Sequence, residues 1–561
     1  MIRTFTTHEV RKQEELSGKL WEFEPLEGAS AGTKRNVFVP ACIETYPGFE
    51  AYRGESVFRT RFTAGGNIRL EFKGVSHTAA VSVDGKEAGT HYNAYTPFDV
   101  ILTNLPEGEH TLEVRVDNRF GEASALHVPN DYMTYGGISR AVALEWLADL
   151  YIKQVHVTPF RNVSDNAWNA KIEVLAANIG SKARRASITG LLAKEKLVWE
   201  ETVIEAGEEV LLSGTFSFPE AEEWNMEHPR LYELKLVLSE NGQAVDDLIE
   251  RVGFRTVGVK DNRILINGRA VRIKGFCRHE DHPQFGCALP GEAIAYDLSL
   301  AKDMGANSIR TSHYPNDEIL LDLCDELGIL VWEENHARGL SEQMMRNPNF
   351  ERQCETVIRE MINAHYNHPS IYIWGILNEC ASDTEYGREC YEKQYALIRS
   401  LDSSRPRSSA SCRFRTDLCL GYPEVVSYNI YPQWYHDGTV TQTLDDQYNW
   451  VQKETEGAGK PFLITEIGAG AIYGYRSPGH EKWTEEYQAE ALEKQITEVL
   501  NYTACQGMYI WQFCDVRVCR EWFSNRPRTM NNKGIVDEYR RRKLSYDVVK
   551  RLYSSYSNYW D

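Results

Sequence analysis

Two glutamates end apolar runs far apart in the chain. In "IYIWGILNECAS" (Ile371 to Ser382) the run stops at Asn378-Glu379, and "PFLITEIGA" carries Glu466 near its end. A buried strand gains nothing by ending on an ionisable acid. Singly, Glu379 reads as a loop acid and Glu466 as a residue favoured by a helix dipole. Together, on one rim, they suit cleavage of a glycosidic bond. One carboxyl donates a proton to the leaving oxygen, and the other attacks or stabilises positive charge. A shared cleft helps, because one anion raises the pKa of the other.

A fold must bring them together, and the texture after about residue 258 supplies one. Short apolar runs ("VRIKGFCRHE", "SIRTSHY", "ILVWEEN", "IYIWGILNE", "PRSSASC", "VVSYNIYP", "PFLITEIGA", "GMYIWQFCD") alternate with stretches of helical period. "NDEILLDLCDELG" has an acidic start and a glycine stop. Eight strands, most followed by a helix, predict a (β/α)8 barrel over 258–561, whose C-terminal strand ends carry the chemistry. Polar residues stand there: Arg278-His279-Glu280-Asp281, His313, Asn378-Glu379, Tyr431, Glu466, Trp511 and Asp515. Before the barrel the chain reads as β-structure punctuated by Gly, Asn, Asp and Pro. Residues 1–147 predict a jelly roll, with a hairpin turn in "VDGKE". Residues 148–257, with about seven short strands, predict an immunoglobulin-like β-sandwich.

The formal charge of −19 argues against nucleic acid and anionic membrane partners, though a local basic pocket can still take a small anion. No apolar run approaches the length of a spanning helix, and "MIRTFTTHEVRKQEELSG" has no secretory h-region. Twelve scattered cysteines form no CxxC pair, so the expectation is free thiols in a reducing cytoplasm and no zinc site.

"NHPSIYIWGILNE", "FLITEIGAGAIYG", "GFCRHEDHP" and "SIRTSHYPNDEILLDLCDELGILVWEE" resemble glycoside hydrolase family 2, which includes β-galactosidases, β-glucuronidases and β-mannosidases. The likeness covers essentially the whole chain. It implies a retaining hydrolase with no metal and no cofactor, often a homo-oligomer. Glu379 resembles the general acid/base and Glu466 the nucleophile. Tyr431 resembles the tyrosine that donates to the nucleophile, and Asn378 the asparagine that contacts the sugar O2.

For the sugar, "NNKG" (Asn531 to Gly534) is by itself a good exposed turn. Within the family it resembles the Asn-x-Lys motif of β-glucuronidases, in which Asn531 and Lys533 would bind the C6 carboxylate. "GFCRHED" resembles the same subgroup. Asp131 in "NDYMTYGGISR", with His313, Tyr435 and Trp511, matches sugar-cleft positions. Two departures stand out. Where glucuronidases place an arginine before the motif, this chain has Pro527 between Arg526 and Arg528. Arg338 in "ENHARGL" puts a cation where an acid or the sugar O4 is contacted, which opens galacturonides, the C4 epimers. The expected ligand is a small glycoside, a glucuronide conjugate or uronic-acid oligosaccharide. The expected activity is β-glucuronidase, with β-galacturonidase or β-galactosidase as the alternative and a dead carbohydrate-binding barrel as a third reading.

Overall fold

The computed structural model describes residues 1–164, 166–523 and 526–560. Its first layer is built on two long strands, Glu55–Phe72 and Phe98–Asp117, paired antiparallel from Glu55↔Asp117 to Phe72↔Phe98. Alternate residues such as Ile68, Leu70, Val114 and Val116 face one buried core, as the period of two requires. The turn between Thr78–Val83 and Lys86–Tyr92 has Asp84 at φ 51° and Gly85 at φ 75°, the left-handed pair of a tight hairpin. Next come two antiparallel sheets, one centred on Trp168–Asn178 and the other on Arg184–Leu192 and Tyr232–Glu240. Trp168, Leu236 and Phe254 fill the space between them. The N-terminal part is thus two β-sandwich domains.

The remainder is a closed parallel barrel of eight strands: β1 (Ile273–Cys277), β2 (Ser308–Thr311), β3 (Leu330–Glu334), β4 (Ile371–Ile376), β5 (Arg407–Ser411), β6 (Val426–Asn429), β7 (Phe462–Ile467) and β8 (Cys505–Ile510). Every strand residue except Ser409 is buried, which is why the strands read as unbroken runs rather than alternations. The main outer helices are α1 (Gly291–Asp303), α2 (Glu318–Leu327), α3 (Phe350–His365), α4 (Glu385–Leu401), α5 (Val440–Glu454), α6 (Glu485–Asn501) and α7 (Leu544–Ser555). α2 starts with the Asp317 side chain accepting from Ile319 N and stops at Gly328 in the left-handed region. Between β5 and β6 there is no helix, and residues 412–425 cross as a loop. No helix among the described residues is long and apolar enough to cross a membrane.

Barrel closure depends on Gly507. It pairs with Ile273 across the β8–β1 seam at φ +127°, and a Cβ there would stand 2.0 Å from the Ile273 carbonyl oxygen. Gly507→Ala should therefore lose about 4 kcal/mol or more of stability. Gly474→Ala, in open space at φ +80°, should lose only about 1 kcal/mol. Equal melting temperatures for the two variants would refute the seam argument.

The first domain also closes the barrel mouth. Its Tyr95 stacks on Tyr314 at 3.8 Å, and Arg140 pairs with Glu280 at 2.9 Å. Both contacts seat the buried segment that carries Asn130, Asp131 and Tyr132 over the barrel.

Candidate active site

Glu466 lies within β7, and Glu379 lies three residues past the end of β4. Leu377 and Glu379 both have left-handed backbones, at φ 45° and 53°, strained for residues with side chains. The turn is held by Glu379 N donating to Ala410 O at 2.8 Å and Gly339 N to Asn378 O at 2.8 Å. Strain kept by such contacts is the kind found where a side chain must be aimed.

Glu466 accepts hydrogen bonds from the Tyr431 hydroxyl at 2.6 Å and from Arg310 Nη1 at 3.0 Å. Glu379 accepts from Asn429 Nδ2 at 2.9 Å, with Arg338 Nη2 at 3.8 Å. Burial pushes the Glu466 carboxyl up to about 7. The charge of Glu379 pushes the same way, and Arg310, Tyr431 and Arg338 pull back. Two donors on Glu466 against one amide on Glu379 assign the anion to Glu466 and the transferable proton to Glu379.

Tyr431→Phe removes a donor that favours ionised Glu466 over its neutral acid. It should lower kcat about a hundredfold and move the acid limb of kcat/KM to higher pH, leaving the alkaline limb in place. An acid limb that stays put would refute the role given to this hydroxyl.

Arg310 on β2 is the hub beneath the pair. It is fully buried and donates to both oxygens of Glu334 at 2.9 Å, to Glu466, and to Asn378 Oδ1 at 2.8 Å. Burial would lower its pKa, but Glu334 and Glu466 outweigh that, so it stays charged. Asn378 Oδ1 also accepts from Asn429 Nδ2 at 3.1 Å, while its Nδ2 has no partner and is free to meet a ligand. His313 Nδ1 stands 2.9 Å from Glu334 Oε1. Burial drives the His313 pKa well below the usual range, so the ring is neutral and donates to Glu334 through Nδ1. Trp511 stacks on it at 5.0 Å.

A second end of the site carries positive charge. Lys533 is buried, its Nζ 5.2 Å from the centre of the Tyr435 ring. Among the described residues no carboxylate lies within ion-pair distance of it. Burial would raise the Tyr435 phenol, but Lys533 and then Arg526 bring it below its ordinary value. Asn531 Nδ2 lies 3.3 Å from Asp131 Oδ2, and its Oδ1 is buried without a partner. Asp131 pairs with Arg338 at 3.2 Å. Burial would raise Asp131, but Arg338 and Lys533 hold it below the usual carboxylate range. Arg338 also donates to Asn130 Oδ1 at 2.8 Å.

All eleven residues expected from the sequence thus join one contact network at the C-terminal rim. Other strand-end residues serve differently: Arg278 pairs with Asp297, Asp281 accepts from Tyr135, and Asp515 pairs with Lys543 at 2.7 Å beneath the Asn532 turn. His279 remains at the site, with Nε2 buried and unpartnered beside Trp511. Of the two arginines that flank Pro527, Arg528 pairs with Glu538 and Arg526 reaches Tyr435. Sequence reasoning missed Arg310, Glu334 and Asn429 as site residues, and named His279 only as one of the polar residues after the first strand. An arginine inside the apolar run "NSIRTSHY" was the available signal for Arg310, since a buried cation needs acids around it.

Paired carboxyls at the C-terminal rim of a (β/α)8 barrel, with a tyrosine and an arginine on one of them, define a barrel glycoside hydrolase. Residues 257–558 match the TIM barrel domain of the glycosyl hydrolases family 2 and residues 150–255 match a second model of that family. The chain belongs to glycosyl hydrolase family 2. It is 61% identical to the family 2 β-galacturonidase of Eisenbergiella tayi solved with galacturonate bound, covering 100% of both chains with a TM-score of 0.98. It is 25% identical to the Bifidobacterium dentium β-glucuronidase solved with coumarin-3-O-glucuronide, covering 100% and 99% at a TM-score of 0.87. It is 26% identical to the mouse β-glucuronidase over 92% of this chain and 83% of that one. The chain spans 62% of the length of a Formosa agariphila relative and 66% of the Thermoanaerobacterium thermosulfurigenes β-galactosidase.

Proposed function

We propose that the protein is a retaining, exo-acting β-D-galacturonidase. The observation that carries this is the whole-chain likeness, at 61% identity, to a β-galacturonidase solved with galacturonate. It favours the alternative over glucuronides, which the sequence motifs had put first. The site supplies the physical reason for a uronide. A sugar carboxylate would meet two acids already present, and Lys533, buried with no carboxylate within ion-pair distance among the described residues, offsets that repulsion. Arg338, already bonded to Asn130 and paired with Asp131, has an unpartnered buried Nε left for a sugar oxygen.

The reaction follows from the donor arrangement. Glu466 attacks the anomeric carbon as the bond to the leaving oxygen breaks, and Glu379 passes its proton to that oxygen. Asn378 Nδ2 is placed to bond the 2-hydroxyl, where such a bond strengthens as charge develops at the ring. Water then gives its proton back to Glu379, attacks the glycosyl ester and frees Glu466. Both displacements invert the anomeric carbon, so configuration is retained overall.

The test is kcat/KM on the nitrophenyl β-galacturonide, β-glucuronide, β-galactoside and β-glucoside. The galacturonide should lead by at least about tenfold. A lead by the glucuronide restores the first reading, and a lead by a neutral sugar removes the uronide argument. A cytoplasmic location and a homo-oligomeric state remain proposals. The free cysteines, all buried but Cys412, suit a reducing compartment.

A further inference from the structure

The helix-free β5–β6 loop comes to the catalytic acid. Asp417 ties it down, accepting from Ser411 Oγ at 2.5 Å, Cys419 N at 2.8 Å and, on the β4 side, Ser382 Oγ at 2.8 Å. Arg413 is aimed by its own N–H bonding Ser411 Oγ at 3.1 Å. Its Nε reaches the carbonyl of Cys380, the residue after Glu379, at 3.4 Å, and Asp383 at 3.4 Å. Cys412 feels the charges of both Glu379 and Arg413, and its thiol is pushed up to about 12 by burial and next by Glu379.

The proton donor must face the leaving oxygen. Of the residues already assigned to the sugar, His313, Trp511, Asn531 and Lys533 belong to other strand ends, and Asn378 directly precedes Glu379 after β4. Arg413 comes instead through the β4–β5 flank of Glu379. Its ion pair with Asp383 is long, and both side chains are about a third exposed (32% and 31%), so solvent-screened Asp383 holds it weakly. An incoming anion could take its place at little cost.

We infer that Arg413 forms a leaving-group subsite selective for anionic leaving groups, so that the enzyme's substrate class is the galacturonide of a carboxylate-bearing alcohol or phenol, such as an acidic disaccharide. This deepens, and rests on, the reading of the site as a uronidase. Such a leaving group would otherwise be repelled by Asp383, and the Arg413 cation beside it removes that penalty.

The test compares two galacturonides that differ at one group, those of 4-hydroxybenzoic acid and of its methyl ester. The ratio of their kcat/KM values cancels the sugar's contribution. Arg413→Ala should lower the acid-to-ester ratio about threefold to tenfold, and Arg413→Lys should recover part of it. Asp383→Asn, which frees Arg413, should raise the ratio. In the unaltered enzyme the ratio should fall as salt rises from 0.05 to about 0.5 M. This last measurement needs no variant to fold. A ratio unmoved by both Arg413→Ala and salt overturns the subsite. If the enzyme cleaves another sugar instead, the same two leaving groups on that sugar decide the Arg413 question, while the galacturonide reading alone fails.

Discussion

Glu466→Gln is expected to lower kcat by about four to six orders of magnitude, about 5–8 kcal/mol in the barrier, while galacturonate still binds within about tenfold of the unaltered affinity. The amide keeps the shape of the carboxylate and can still accept from Tyr431. Arg310 loses one anionic partner and keeps the bidentate Glu334. What the amide cannot do is form the glycosyl ester, so the loss falls on chemistry and not on binding. Single-turnover rates and calorimetric binding separate the two. A 2-deoxy-2-fluoro galacturonide should add its glycosyl mass to the unaltered enzyme at Glu466 and add nothing to the variant. Labelling at another residue, or a rate within a hundredfold of the starting enzyme, would displace Glu466 from this role.

Lys533→Ala should lower kcat/KM for the galacturonide by about a hundredfold to several thousandfold. Stranding a buried carboxylate without its cation costs about 3–5 kcal/mol. The β-galactoside, which has a hydroxyl where the uronide has its charge, should lose far less, so the galacturonide-to-galactoside ratio is the readout. A merely structural role would depress both sugars alike. The surroundings of Lys533 speak against such a role. No carboxylate lies within ion-pair distance of it among the described residues, so its removal strips no acid of a direct partner. Equal losses on the two sugars would move the carboxylate-binding role elsewhere, and Arg526, beside Tyr435, would be the next residue to vary.

Much of this architecture was legible in the amino-acid order. The barrel strands showed as apolar runs because nearly every strand residue is buried on both faces. α2 announced its limits through Asp317 and Gly328, whose signals are local. "VDGKE" turned where a left-handed pair was due. Glu379 and Glu466 stood out because a charge at the end of an apolar run carries a desolvation penalty unless something uses it. Arg310 was passed over for the opposite reason. Its acids, Glu334 and Glu466, lie 24 and 156 residues away, and nothing near it in the chain marks it as paired. The β5–β6 crossing was unremarkable as sequence, yet on this helix-free loop Arg413 reaches the carbonyl of Cys380, the residue after Glu379.

The sequence by itself determined the order of the layers, the strand ends and the chemical types waiting on the rim. Those follow from side-chain period, burial and turn chemistry, all of which act over a few residues. The tertiary structure decided the partners: Arg310 and Tyr431 on Glu466, Asp131 from the first domain against Arg338, Arg526 beside Tyr435 while Arg528 turns to Glu538. Which groups meet across a closed barrel depends on its register and on how the first domain seats over the mouth. Those are long-range packing choices that no short stretch of chain encodes.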